Sequence, residues 1–120
     1  MLVPMDGFHL FRAQLDAMQG PAHAHARRGA PFTFDGEAFV ATVRRIADGE
    51  AGVEVPSFEH GRGDPVRGAL RVDAYHEVVL VEGIYVLLDT PPWAELQVLR
   101  VGGEGLGSQV GGTALKGGVV

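Results

Sequence analysis

At 120 residues the chain is short enough for one domain, and with 46% hydrophobic and 21% charged residues it is apolar enough to form a packed core rather than a disordered segment. A formal net charge of −5 argues against a nucleic-acid-binding protein, which needs a basic face, although arginines do cluster locally at Arg27-Arg28 and between Arg62 and Arg71. There is no cysteine, so disulfides and thiolate metal sites are excluded. No apolar run approaches the ~20 residues of a membrane span, and the N-terminus shows no secretory pattern. The expectation is a soluble, cytoplasmic protein that touches neither membrane nor nucleic acid, with an organellar address reserved for a form carrying a further N-terminal segment.

The chain opens on "LVPMDGF", where Leu2, Val3 and Met5 read as a strand end broken by the turn pair Asp6-Gly7. Leu10, Leu15 and Met18 then suggest a short helix stopped at Gly20-Pro21. "AHAHARRGAP" has no clean period and reads as loop. "TFDGEAFVATVRRIADGE" carries the best helical pattern. Asp35 stands ready to cap it, Glu37 lies in the first turn, Phe39, Val40, Val43, Ile46 and Ala47 form an apolar stripe, and Gly49 stops it. "VEVPSFEH" alternates weakly and contains Pro56, as an edge strand or extended loop would. "GRGDPVRG" reads as a turn-rich loop and "ALRVDAYHE" as holding a short strand. The β-branched run Val78 to Leu88 predicts a parallel strand buried on both faces. From Val98 the composition turns glycine-rich, which divides the chain into a folded part, 1–97, and a flexible tail, 98–120.

Strands alternating with a helix indicate an α/β fold with a parallel sheet. One central strand and one strand end are too few for a complete doubly wound domain, so a partial fold is expected. Glu82 interrupts the apolar run at the C-terminal side of its strand. An ionised carboxylate there is costly to bury unless paired or metal-bound, and ligands of open α/β sheets bind at that edge. Asp6 repeats the pattern on a second strand end. Two such carboxylates suit a division of labour in which one orients Mg²⁺ through water and the other accepts a proton from a substrate hydroxyl, as phosphoryl transfer requires. The histidines His23, His25, His60 and His76 do not make a zinc set, because the first two are spaced i, i+2 in a loop and no cysteine completes four ligands. Phe8, Phe32, Phe34 and Phe58 are expected to pack rather than to serve as stacking platforms.

"VPMDGFHL", "RRGAPFTFD", "VPSFEHGRGDPV" and "VVLVEGIYVLL" resemble, in this order, segments of the phosphoribulokinase/uridine kinase family of P-loop kinases, especially its uridine-kinase-like and fructose- or pantothenate-kinase-like branches. The resemblance covers roughly Leu2 to Leu96. It implies a partial P-loop NTPase-like fold, use of ATP and Mg²⁺, and a small-molecule hydroxyl acceptor such as a sugar or nucleoside. It further implies that Asp6 is the base for the acceptor hydroxyl and that Glu82 ends the Walker-B-like strand near Mg²⁺ and the nucleotide phosphates, both carboxylates serving the metal. His60, Arg28 and His9 would line the acceptor pocket. The sequence departs from the pattern in three places. It contains no GxxxxGK[ST] phosphate loop, so the backbone cradle, lysine and Mg²⁺-binding hydroxyl are missing. After Leu96 it shows no lid helix, and Ile84 follows "EG" where relatives often carry Asn. The chain is therefore expected to be a truncated kinase that is impaired alone or, alternatively, a non-catalytic remnant or isoform that binds a metabolite or a protein.

Overall fold

In the computed structural model, which describes residues 1–99, the chain builds two small sheets around one long helix. β1 (Leu2–Pro4) pairs in parallel with β4 (Leu80–Glu82), with Leu2 opposite Leu80, Val3 opposite Val81 and Pro4 opposite Glu82. β2 (Val53–Phe58) and β3 (Pro65–Val72) form an antiparallel hairpin. Its register shifts between Val55 and Ser57, at Pro56, a residue that cannot donate to the ladder. The fold is α/β with a parallel pair, as the alternation of strand and helix patterns predicts.

α3 (Gly36–Ala47) follows its sequence pattern closely. The Asp35 carboxylate accepts the Ala38 amide at 3.0 Å, satisfying one of the orphan donors of the first turn. Phe39, Val40, Val43, Ile46 and Ala47 are buried, and the first four meet Val3, Val53, Val55, Val72 and Val81 in a single core. Trp93, in a 3-10 turn at Trp93–Val98, packs on Phe39 and closes the N-terminal end of α3.

Four expectations change. The run Val78 to Leu88 is a strand only over Leu80–Glu82, and the chain then turns, leaving Ile84 75% exposed. The partner strand ends at Pro4, and Gly83 lies so close under Met5 that a Cβ there would sit 2.4 Å from the Met5 Cβ, so the ladder has nothing further to bond. "AHAHARRGAP" contains α2 (Pro21–Ala26), a short helix begun by proline at its first position and joined to α1 (Arg12–Asp16) by a 2.7 Å contact between His25 Nε2 and Asp16. In "GRGDPVRG" the residues from Pro65 onward belong to β3, because β2 supplies a partner that local turn chemistry does not reveal. Glu82 is exposed rather than buried within a strand. The glycine-rich segment lies, from residue 100 on, outside the described residues.

Candidate functional site

Asp6 sits in the 3-10 turn Met5–Phe8 immediately after β1. Two neighbours pin this turn. Met5 is buried over Gly83, and Gly7 lies against the backbone of β2 so tightly that a Cβ would stand 2.0 Å from the Pro56 carbonyl oxygen. A glycine at this spot is therefore a packing requirement. The Asp6 carboxylate points outward, 48% exposed, with His60 Nε2 3.8 Å away. Glu82 stands at the end of the neighbouring strand, opposite Pro4, and its carboxylate makes no hydrogen bond or ion pair with the described residues. The two carboxylates thus occupy the C-terminal ends of adjacent parallel strands, the edge where open α/β sheets bind ligands.

The Asp6 carbonyl accepts two hydrogen bonds from one residue: the His9 amide donates at 3.2 Å and His9 Nδ1 at 2.7 Å. The His9 ring is gripped between Phe34, at 4.2 Å between centroids, and Phe58, at 4.1 Å and nearly parallel. Burial pushes the His9 imidazole below its ordinary pKa; the bond to the Asp6 carbonyl and the Asp6 charge oppose that shift, while Arg28 and His60 reinforce it. Phe58 also carries the Arg28 guanidinium 5.3 Å from its ring centroid and the His60 ring edge-on at 5.1 Å. Phe58 thus packs against three polar side chains of this chain, His9, Arg28 and His60. Phe32 is 46% exposed and stacks on His23, whereas Phe8 and Phe34 are core residues as expected.

Arg28 is largely committed to structure. It donates to the Leu10 carbonyl at 2.8 Å and lies 4.0 Å from Asp64, while its Nε is buried without a partner among the described residues. Asp64 accepts both the Arg12 amide, at 2.7 Å, and the Arg12 guanidinium, at 3.2 Å through two nitrogens. These bonds, first the amide and then the guanidinium, hold the Asp64 carboxyl below the usual carboxylate range. The Arg12–Asp64 clasp fixes the hairpin loop that carries His60. The sequence reading missed it, and only the acid at the end of "GRGD" hinted at it. Structure therefore brings Asp6, His9, His60 and Arg28 into one run of contacts and leaves Glu82 at its edge.

A hollow of about 390 Å³ opens behind the turn, lined in part by Gly7, His9, Gln14 and Arg67, and a larger one of about 560 Å³ lies between Pro31 and Trp93. Neither is lined by Asp6 or Glu82. No three His, Asp or Glu side chains among the described residues come together as a metal cage. Two outward carboxylates at adjacent strand ends fit a hard dication that keeps most of its water, which is how Mg²⁺ is usually held. The nucleotide phosphates find no fit here, since these residues include no phosphate loop.

No protein-family model matches the chain. It is 43% identical over 99 residues to the ATP-dependent kinase-like protein notR' of Aspergillus versicolor, a match that spans 79% of this chain and 58% of that protein. A Schizosaccharomyces pombe protein named as a candidate uridine kinase, C227.14, is 41% identical, over 78% of this chain and 40% of its own length. Among solved structures, YFH7 from Saccharomyces cerevisiae, described as a candidate P-loop-containing kinase with a circular permutation, superposes with a TM-score of 0.72 at 32% identity, covering 79% of this chain and 36% of that one. The fold thus matches part of the folds of P-loop kinases, as the four sequence motifs imply. The chain spans between about two-fifths and three-fifths of the length of these curated relatives.

Proposed function

We propose that this chain carries the acceptor-side and Walker-B-like portion of an ATP-dependent kinase that phosphorylates a hydroxyl of a small metabolite, such as a sugar or nucleoside. The observation that carries the reading is the placement of two solvent-facing carboxylates, Asp6 and Glu82, at the C-terminal ends of adjacent parallel strands. Asp6 is the base: its carboxylate takes the acceptor hydroxyl's proton, leaving the oxygen free to attack. His60, 3.8 Å away, stabilises the ionised carboxylate when it carries a proton of its own and marks the side from which the acceptor approaches. Glu82 supplies charge for Mg²⁺ through water, and Arg28 and His9 bound the acceptor side. Nucleotide and metal would supply the phosphoryl group and the neutralisation of its charge. A cytoplasmic address goes with this reading; among the described residues no helix is long and apolar enough to cross a membrane.

A second reading, metabolite or partner binding without turnover, draws on the lack of a GxxxxGK[ST] motif within these 120 residues. One experiment separates the two. A chimera joining this chain to the phosphate-loop segment and lid of a relative is expected to phosphorylate an alcohol acceptor. Asp6→Asn should then cut turnover about 10²–10⁴-fold, the usual contribution of a general base, with acceptor affinity little changed. Glu82→Gln should instead raise the Mg²⁺ concentration needed. Turnover indifferent to Asp6→Asn would make the turn purely structural, and an inert chimera that still binds acceptor would favour the second reading.

A further inference from the structure

His9 is the most tightly held polar side chain beside Asp6, and the proton transfer proposed above gives it no part. A carbonyl oxygen only accepts, so the 2.7 Å contact between His9 Nδ1 and the Asp6 carbonyl requires the proton on Nδ1. The His9 amide reaches the same oxygen at 3.2 Å, so one residue closes the turn through both its backbone and its side chain. Phe34 and Phe58 grip the two faces of the ring at 4.2 and 4.1 Å and leave it 9% exposed, which fixes the direction of the Nδ1–H bond. The packing of Gly7 against Pro56 and of Met5 over Gly83 fixes the place of the turn, and the two His9 bonds fix the direction of the Asp6 carbonyl within it.

We propose that His9 is a positioning residue for Asp6: held as the Nδ1–H tautomer between Phe34 and Phe58, it locks the carbonyl of Asp6 and thereby the backbone from which the Asp6 carboxylate projects. The proposal rests on the reading of Asp6 as the base for its functional meaning, and on geometry alone for the lock. In this role His9 acts through Asp6, whatever it also contributes to the wall of the acceptor side. A histidine is suited to this because it combines an aromatic ring that two phenyl groups can clamp with a donor directed along the ring plane. Phenylalanine offers only the first property and asparagine only the second.

The test uses the 120-residue chain itself, labelled for NMR. In alkaline buffer, where imidazoles are neutral, long-range proton–nitrogen spectra of His9 should show a protonated Nδ1 and a bare Nε2, because the tautomer follows the hydrogen bond that the ring makes. Relaxation of the Gly7 amide nitrogen should give an order parameter of about 0.85, that of rigid backbone. In His9→Phe the ring clamp survives and the Nδ1–H is lost; the Gly7 order parameter should fall toward ~0.6, and the residue 9 amide should exchange roughly tenfold faster, as loss of one hydrogen bond implies. His9→Asn, which keeps an N–H close to the Nδ1 position, should restore the rigid value. A protonated Nε2, or a rigid Gly7 amide persisting in His9→Phe, overturns the proposal. Should His9→Phe fail to fold, the tautomer of the unaltered protein together with the Gly7 order parameter in His9→Asn still decides it. Failure of the kinase reading is seen separately, as indifference of the chimera to Asp6→Asn while the tautomer and relaxation results stand.

Discussion

A methyl group on Gly7 would stand 2.0 Å from the Pro56 carbonyl oxygen and 2.5 Å from its carbon, both backbone atoms that no side-chain adjustment can move aside. Gly7→Ala should therefore destabilise the chain by at least the ~1–3 kcal/mol typical of overpacking, read from the denaturant midpoint, and should displace Asp6 in the process. His9 gives a second residue-scale prediction. Its folded pKa is depressed below the ordinary 6.5, so under acid the unfolded chain binds a proton before the folded one does. Its contribution to stability is present above that ordinary value and is lost as pH falls through the folded value. The unfolding midpoint should drop on going from about pH 7 to about pH 5, and His9→Phe should flatten that slope. At this scale the sequence was partly legible. An acid between an apolar run and a glycine placed Asp6 at a strand tip, because strand ends and turn residues are local signals. The exposure of Glu82 was not readable, since the apolar residues after it resemble a continuing strand and only the position of Met5 over Gly83 stops one.

α3 and β4 show the same contrast between elements. The helix is specified within its own residues, by Asp35 as cap, an apolar stripe at helical spacing and a glycine stop, and it forms over Gly36–Ala47. Asp35→Ala removes the acceptor of the Ala38 amide and should cost about 0.5–2 kcal/mol, measurable as a lower thermal midpoint with the fold retained. Strands depend on partners that are distant in sequence. β3 begins at Pro65 inside a stretch rich in turn residues because β2 lies alongside it, and β4 is short because β1 is short. The clasp of Arg12 and Asp64, which bridges 52 residues, was hidden for the same reason.

For the molecule as a whole, the 120 residues contain no GxxxxGK[ST] phosphate loop. The isolated chain should accordingly bind Mg-ATP more weakly than millimolar, worth less than about 4 kcal/mol, and calorimetry finding micromolar affinity would reveal a cradle of another kind. The parallel pairing also has a consequence in time. The amino group of Met1 donates to the Val78 carbonyl, 77 residues further along, beside the ladder that joins β1 to β4. At a synthesis rate of ~5–20 residues per second, β1 leaves the ribosome roughly 4–15 seconds before its partner exists. Throughout that interval Val3 and Met5, both fully buried in the finished core, lack their neighbour β4. The β2–β3 hairpin and α3 are complete before β4 is made, so the two carboxylates come to adjacent strand ends only when the last pairing closes. The site therefore takes shape after the hairpin and α3, and slowing translation between the hairpin and Val78 should lengthen the exposure of the N-terminal strand to chaperones without altering the hairpin.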